Sequence, residues 1–348
     1  MIARIEDVAR EAGVSTATVS RALRGLPHVS DATRRSVARA AAELGYVVSR
    51  TASTLASGRT LTVAVISPYL ERWFFSQLIG SVEAELRRSG YDALLIGLAQ
   101  PDEGGRGAFE PETLRGRVDA VVVVTVPLTG QELDGVRRLA LPTVYVGASV
   151  AGAMSVRIDD VAVARVATEH LLQLGHSRIA YMGGDPNQPI NFSAPADRRA
   201  GWLAAMRGAG LEPEDRYDVP GLFTANGGVA AAERLLSLPL PPTAVVAASD
   251  EMAFGVLACA HRRGISVPDQ LSVVGVDDHE LSALVGLTTV AQPVSRQGAL
   301  AAELVLGALR GRQSRSQEHI VVPVHLVTRH STGAPLALER RVTVVTGS

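Results

Sequence analysis

Hydrophobic positions follow two different rhythms along the chain. Over residues 1–60 they recur at helical spacing. Ile5, Val8, Ala9 and Ala12 stand at i, i+3, i+4 and i+7, and Gly13 follows where a helix can stop in a left-handed turn. Ser15 can cap a second helix, TATVSRAL, with Val19 and Leu23 facing inward and Val14 closing the turn. Pro27 breaks the pattern, Ser30 can cap a third helix, DATRRSVARAAAEL, and Gly45 ends it, with Val37, Ala41 and Leu44 as its inner stripe. Two short helices joined by a Gly-containing turn make a helix-turn-helix, in which small Ala9 permits close approach, and the third helix completes a small all-α domain.

After Arg59 the rhythm changes. Near-continuous apolar runs (LTVAVIS, YDALLIG, VDAVVVVT, LPTVYVG) alternate with amphipathic stretches such as LIGSVEAELRRSG. Such strands predict a parallel sheet covered by helices on both faces. A second series repeats the pattern: VATEHLLQLGH, SRIAYMGG, RRAGWLAAMRGAGL, YDVPG, GGVAAAERLLSL, TAVVAASD, EMAFGVLACAHRRG, LSVVGVDD. The chain has 348 residues, more than one hydrophobic core usually holds, which fits a small head and a large body.

Charge separates the two parts. Residues 1–60 hold nine Arg and five acids, net +4, leaving 25 basic and 30 acidic residues, net −5, in the rest. The head is thus the part suited to phosphates. All basic residues are Arg, which reads as a compositional bias and marks no site. The single Cys259 excludes an intrachain disulfide and a multi-cysteine metal site, and its apolar helical setting predicts a buried thiol in a reducing compartment. MIARIEDVAREAG has no apolar core of the secretory kind, and the run Ala120 to Val126 is far short of a membrane span, so a cytoplasmic protein with no membrane partner is expected.

The chemistry on offer is recognition. The second helix could enter a major groove, where Arg21 can pair bidentately with guanine O6 and N7, and Thr16 and Ala17 offer a methyl-scale surface for a thymine methyl or a shape contact. A helical protein-binding module is the alternative. The body carries no GxxxxGK phosphate loop, no GxSxG elbow and no His pair with metal-ligand spacing, and Gly183-Gly184 reads as a loop. No enzyme activity, cofactor or metal is expected.

The segments IEDVAREAGVSTATVSRAL, HVSDATRRSVARAAAELGY and SRTASTLASGRT resemble the head and hinge of the LacI/GalR family nearly position for position. The resemblance implies Thr16, Ala17 and Arg21 as base readers, with Ser15, Thr18, Ser20, His28, Ser30 and Thr33 near phosphates. It also implies a hinge helix over Arg50 to Ser57 that pairs with its dimer mate in the minor groove. There Leu55 would wedge into a central CG step, and Ala52 and Ala56 would keep the pair close. A flexible linker with one stray Leu is the plain alternative.

The body is similar to the same family through HLLQLGHSRIAYMGG, RRAGW, VVAASDEMAFGVL, LSVVGVDD and LTTVAQPVSRQGALAAELVLGAL, so that the likeness extends to about Thr332. It implies two doubly wound lobes like those of periplasmic sugar-binding proteins, a ligand cleft between them, and crossovers near Asp160, Thr289 and Val322. The TTVAQP strand and the next helix then return to the first lobe. The expected organisation is a helix-turn-helix at 1–48, a hinge at 49–60, a first lobe at 61–160 with 290–322, a second at 161–289 with 323–332, and a tail at 333–348.

Expected ligand residues are Ser67, Trp73, Phe74, Arg198, Phe223, Ser249, Asp250 and Asp277. Arg198 and Asp277 would bond hydroxyls, and the aromatics would stack on a sugar ring. Asp250 and Asp278 could instead cap the following helices, and Trp202 is expected in the core. Two positions depart from the family pattern: Gly147 stands where an acid often follows the VYV strand, and Ser249 where an Asn commonly stands. Both remove polar contacts to the expected sugar or oligosaccharide effector. QPDEGGRGAFEP displaces much of a helix, leaving a short PETLRGR, and the loop GDPNQPINFSAPAD is long and Pro-rich. The tail shows no sustained heptad, so a dimer is expected, although VTVV could add an edge strand.

The implied function is a repressor-type transcription regulator, a homodimer on a pseudo-palindromic double-stranded DNA operator, controlled by a small molecule. The alternatives are a solute-binding protein for sugar uptake, or a regulator answering to a nucleobase or other non-sugar effector.

Overall fold

The computed structural model describes residues 3–23, 27–46, 59–100, 105–125, 128–184, 193–311 and 318–336. The chain divides into two units, Met1–Leu61 and Thr62–Ser348.

The first unit contains α1 (Ile5–Ala12), α2 (Thr16–Leu23) and α3 (Asp31–Glu43). Gly13 ends α1 at φ 66°, the left-handed geometry expected of it. The Ser15 hydroxyl accepts the Thr18 N–H at 3.2 Å, and that of Ser30 accepts the Thr33 N–H at 3.2 Å, so both predicted caps form. Val8, Ala9, Val19, Ala22, Val37, Ala40 and Ala41 make the core. Leu44 differs from expectation: α3 stops at Glu43, Leu44 is 37% exposed, and Ala40 fills the inner stripe instead.

The second unit begins with β1 (Thr62–Ser67), α4 (Trp73–Arg88), β2 (Asp92–Gly97), and the short pair β3 (Ala99–Gln100) and β4 (Gly105–Arg106). A 3-10 turn at Pro111–Leu114 is what remains of the displaced helix. Next come β5 (Ala120–Val124), α5 (Gly130–Arg138), β6 (Thr143–Val146) and β7 (Met154–Arg157). Then follow α6 (Asp160–Gln173), β8 (Ile179–Gly183), α7 (Ala194–Gly208), β9 (Asp218–Pro220) and α8 (Ala225–Leu236). The chain continues through β10 (Ala244–Ala247), α9 (Asp250–Arg262), β11 (Ser272–Asp277) and β12 (Thr288–Ala291). It ends with α10 (Val294–Leu309), β13 (His319–Val321) and β14 (His325–Val327).

These strands form two six-stranded sheets, β13-β7-β6-β5-β1-β2 and β14-β12-β11-β10-β8-β9, parallel throughout except for β14. Each is the core of a lobe, with Val-rich central strands buried on both faces, as the unbroken apolar runs required.

The chain passes between the lobes three times. It leaves the first after β7 and leaves the first again after β13, near the expected Asp160 and Val322. The middle passage corrects the expectation of Thr289. Thr288 to Ala291 lie beside Val274 to Asp277 as part of the second sheet, so the TTVA strand does not return to the first lobe. The chain departs at Gln292-Pro293, and α10 is the first element back in the first lobe, packing on α4, β5, β6 and β7. Gly298 permits this closeness, because a Cβ there would lie 2.0 Å from Ser81 Oγ and 2.5 Å from the Leu78 carbonyl.

Candidate functional site

In the first unit, Val19 and Ala22 turn α2 inward, which leaves Thr16, Ala17 and Arg21 exposed on its outer side. Thr18 and Ser20 are half-buried beside them. Ser15 and Thr18 share a hydroxyl contact at 2.9 Å, and Ser30 and Thr33 one at 2.8 Å, so two helix N-termini each carry a Ser/Thr pair. Such ends, with their outward N–H groups, suit phosphate oxygens. His28 is exposed with φ 68° in the turn before Ser30. Arg50, Ala52, Leu55 and Ala56 lie outside the described residues.

In the second unit, the C-terminal ends of the strands gather the polar groups, as open α/β sheets do. Arg198 on α7 is 6% exposed. Its Nε donates to Asp160 Oδ1 at 2.7 Å and its Nη1 to the Ala248 carbonyl at 2.5 Å. The charge is therefore held between the start of α6 and the end of β10. Asp277, at the end of β11, accepts from Gln292 Nε2, and Gln292 Oε1 accepts from Gln297 Nε2 at 3.0 Å. That chain joins the second sheet to α10 of the first lobe. Burial pushes the Asp277 carboxyl up to about 8, with the nearby Arg198 charge opposing the rise.

Two expected ligand residues are tied into the fold by their own hydrogen bonds. Ser249 caps α9, its hydroxyl accepting the Met252 N–H at 3.3 Å. Asp250 caps no helix. It receives Ser282 Oγ at 2.6 Å and the His279 N–H at 2.8 Å on Oδ2, and Thr289 Oγ1 at 2.7 Å on Oδ1. It is a buried tie between α9, the turn after β11, and β12. Burial raises its carboxyl to about 6 against these donors. Asp278 is likewise not a cap: it accepts from Arg329 Nη2 at 2.7 Å.

Ser67 is fully buried and donates to the Tyr69 carbonyl at 2.7 Å. Phe74 meets Phe75 edge-on at 5.2 Å between centroids, and Phe223 lies over Gly184 in a left-handed turn. Trp73 stacks on His279 from the other lobe at 4.4 Å. Trp202 is 1% exposed and stacks on Tyr181, a core residue as expected.

Sequence reasoning missed Thr125. It ends the run AVVVVT beside Gly147, and a Cβ on Gly147 would lie 2.3 Å from its Cγ2. Thr125 thus occupies the space that a side chain at 147 would need. It is 6% exposed, at φ 40°, and its hydroxyl has no hydrogen-bond partner. The departure at Gly147 was visible in the sequence; the neighbour filling the gap was not. Asp160 and Gln292 were also missed as site residues, though both stood in segments singled out for the crossovers. Among the described residues no group of three or more His, Cys, Asp or Glu could hold a metal.

Residues 4–49 match the family model for bacterial regulatory proteins of the lacI family, and residues 168–332 that for a periplasmic binding protein-like domain. Catabolite control protein A of Priestia megaterium is 33% identical over 332 residues, covering 94% of this chain and 98% of that protein. The transcriptional regulator CelR in complex with cellobiose is 31% identical, with TM-score 0.69, over 94% of this chain and 99% of that one. The lac repressor dimer bound to operator and the anti-inducer ONPF is 27% identical, with TM-score 0.84, over 96% and 100%. With both parts matched and relatives aligned along nearly its whole length, the chain belongs to the lacI family of bacterial regulatory proteins.

Proposed function

We propose that this regulator is a cytoplasmic homodimeric repressor that reads a pseudo-palindromic operator and releases or grips it according to an uncharged polyhydroxyl effector, a sugar or oligosaccharide. The carrying observation is the charge balance at the strand ends. Arg198 is already paired with Asp160, and Asp277 is held toward its neutral form and bonded to Gln292. Such a site offers forked donors and acceptors to hydroxyls with little net field for a phosphate or ammonium group.

Arg198, Asp277, Phe74 and Phe223 are the contacts we assign, with Ser67, Ser249 and Asp250 shaping the walls. On the DNA side, Thr16, Ala17 and Arg21 read bases, while Ser15, Thr18, Ser20, His28, Ser30 and Thr33 hold phosphates. The Arg50–Ser57 hinge, with Ala52 and Ala56 facing its mate, sets Leu55 at the operator centre. The similar proteins of known structure, one complexed with cellobiose and one with operator, support both halves. A solute-binding protein would have no use for the exposed face of α2. No described helix is long and apolar enough to cross a membrane.

Selection of bound duplexes from a random library, followed by anisotropy titration with and without cellobiose, ribose and their phosphates, tests this. Neutral sugars should shift operator affinity at least tenfold. A response only to phosphorylated or cationic compounds would overturn the effector assignment.

A further inference from the structure

Trp73 opens α4, the helix that follows β1 of the first lobe, yet its immediate partners belong to the second lobe. The preceding Arg72 supplies no side-chain cap to α4. Instead the carboxylate of Glu251 faces the Trp73 N–H and the Arg72 guanidinium, both of which favour its charged form. Glu251 lies in the first turn of α9, and α9 follows β10 of the second sheet. The positive end of one lobe's helix therefore faces an acid of the other.

The indole of the same residue lies on the His279 ring at 4.4 Å with 32° between planes. His279 is fixed from the second lobe on three sides. Its N–H is held by Asp250, its Nδ1 accepts the Leu281 N–H at 3.0 Å, and Phe254 meets its ring edge-on at 5.2 Å. Accepting through Nδ1 places the ring proton on Nε2. His279 is thus a rigid platform, and one face of Trp73 is committed to it.

We propose that Glu251 and His279 are positioning residues for closure of the lobes: together they latch the first turn of α4 across the cleft and bias the empty protein toward the closed form. The latch touches no effector atom. A charge at a helix N-terminus and an aromatic pair each shift such an equilibrium by up to about fivefold. Effector affinity then depends on residues outside the pocket, because ligand binds the closed form whose population the latch sets. Trp73 acts in this as a sensor of closure, and its stacking partner is protein.

The test uses the full-length protein without effector. Glu251→Ala and His279→Ala are compared with the parent by amide hydrogen exchange and by acrylamide quenching of tryptophan emission, with Trp73→Phe identifying the signal of Trp202. Both variants should raise Trp73 quenching severalfold. Glu251→Ala should also speed exchange at amides 73–75 about fivefold, while exchange in β10 and the body of α9 stays as in the parent. Glu251→Gln, which keeps shape and an acceptor oxygen, should restore most of the protection and serves as the comparison if the alanine variant aggregates. Unchanged Trp73 quenching in both alanine variants, or faster exchange confined to the second lobe, would overturn the latch.

Discussion

Arg198 Nε and Asp160 Oδ1 are 2.7 Å apart, and both side chains are almost wholly buried, so the arginine's charge is neutralised at the very point where the chain enters the second lobe. Removing one partner would strand the other charge inside the protein. Asp160→Asn should therefore cost about 3 kcal/mol of stability, the scale typical of broken buried pairs. Urea unfolding measures this. A loss below about 1 kcal/mol would mean that the pair is replaceable by a neutral hydrogen bond.

Asp277 carries the opposite lesson, that burial can keep a carboxyl neutral. Its folded value of about 8 lies above the ordinary 3.8, so the folded state holds a proton that the unfolded chain gives up. Between those values stability falls as pH rises, and above about 8 the full penalty of a buried carboxylate is present. Asp277→Asn mimics the protonated form and leaves an acceptor for Gln292 Nε2. The melting temperature of the variant relative to the parent should rise as pH goes from 6 to 8.5. A difference independent of pH would show that Asp277 is ionised throughout.

Local patterns were legible where their physics is local. The stops at Gly13 and the caps by Ser15 and Ser30 rest on neighbours within a few residues, and all appear where the spacing put them. The Val-rich runs likewise announced strands buried on both faces. Sheet membership is a different matter, because TTVA has the composition of either sheet and is placed only by pairing with β11. Side-chain roles were least legible for the same reason. Asp250 looked free to cap a helix because the hydroxyls of Ser282 and Thr289 that satisfy it come from distant segments. The contact of Trp73 with His279 was equally hidden, because that imidazole is reached only when two lobes meet.

The Thr125–Gly147 pair makes a prediction about an apparent departure from family pattern. Gly147 has φ 73°, where a side chain alone costs about 1–2 kcal/mol, and Thr125 Cγ2 adds a clash at 2.3 Å. Gly147→Ala should destabilise the body by more than that conformational cost. In a Thr125→Ser background, which lacks Cγ2, the same substitution should cost only the conformational part. A double-mutant cycle by thermal or urea unfolding should give a coupling of about 1 kcal/mol. Additive effects would show that the backbone at 147, and not its neighbour, forbids a side chain.

On the DNA side, Arg21 and Ser30 separate reading from holding. Arg21 is exposed on the outer face of α2, and a bidentate guanine contact is worth about 1–3 kcal/mol of discrimination. Arg21→Ala should therefore flatten preference at one base position per half-site while leaving the others ordered. Ser30 caps α3 and touches no base in this assignment, so Ser30→Ala should lower the stability of the head by about 1 kcal/mol. It should also weaken all duplexes alike, with their rank order intact. Anisotropy titrations against a set of singly substituted duplexes distinguish the two patterns at fixed salt. An Arg21→Ala variant that keeps the full rank order would move base reading to Thr16 and Ala17, and an altered rank order in Ser30→Ala would mean that its cap positions α2 as well as the backbone.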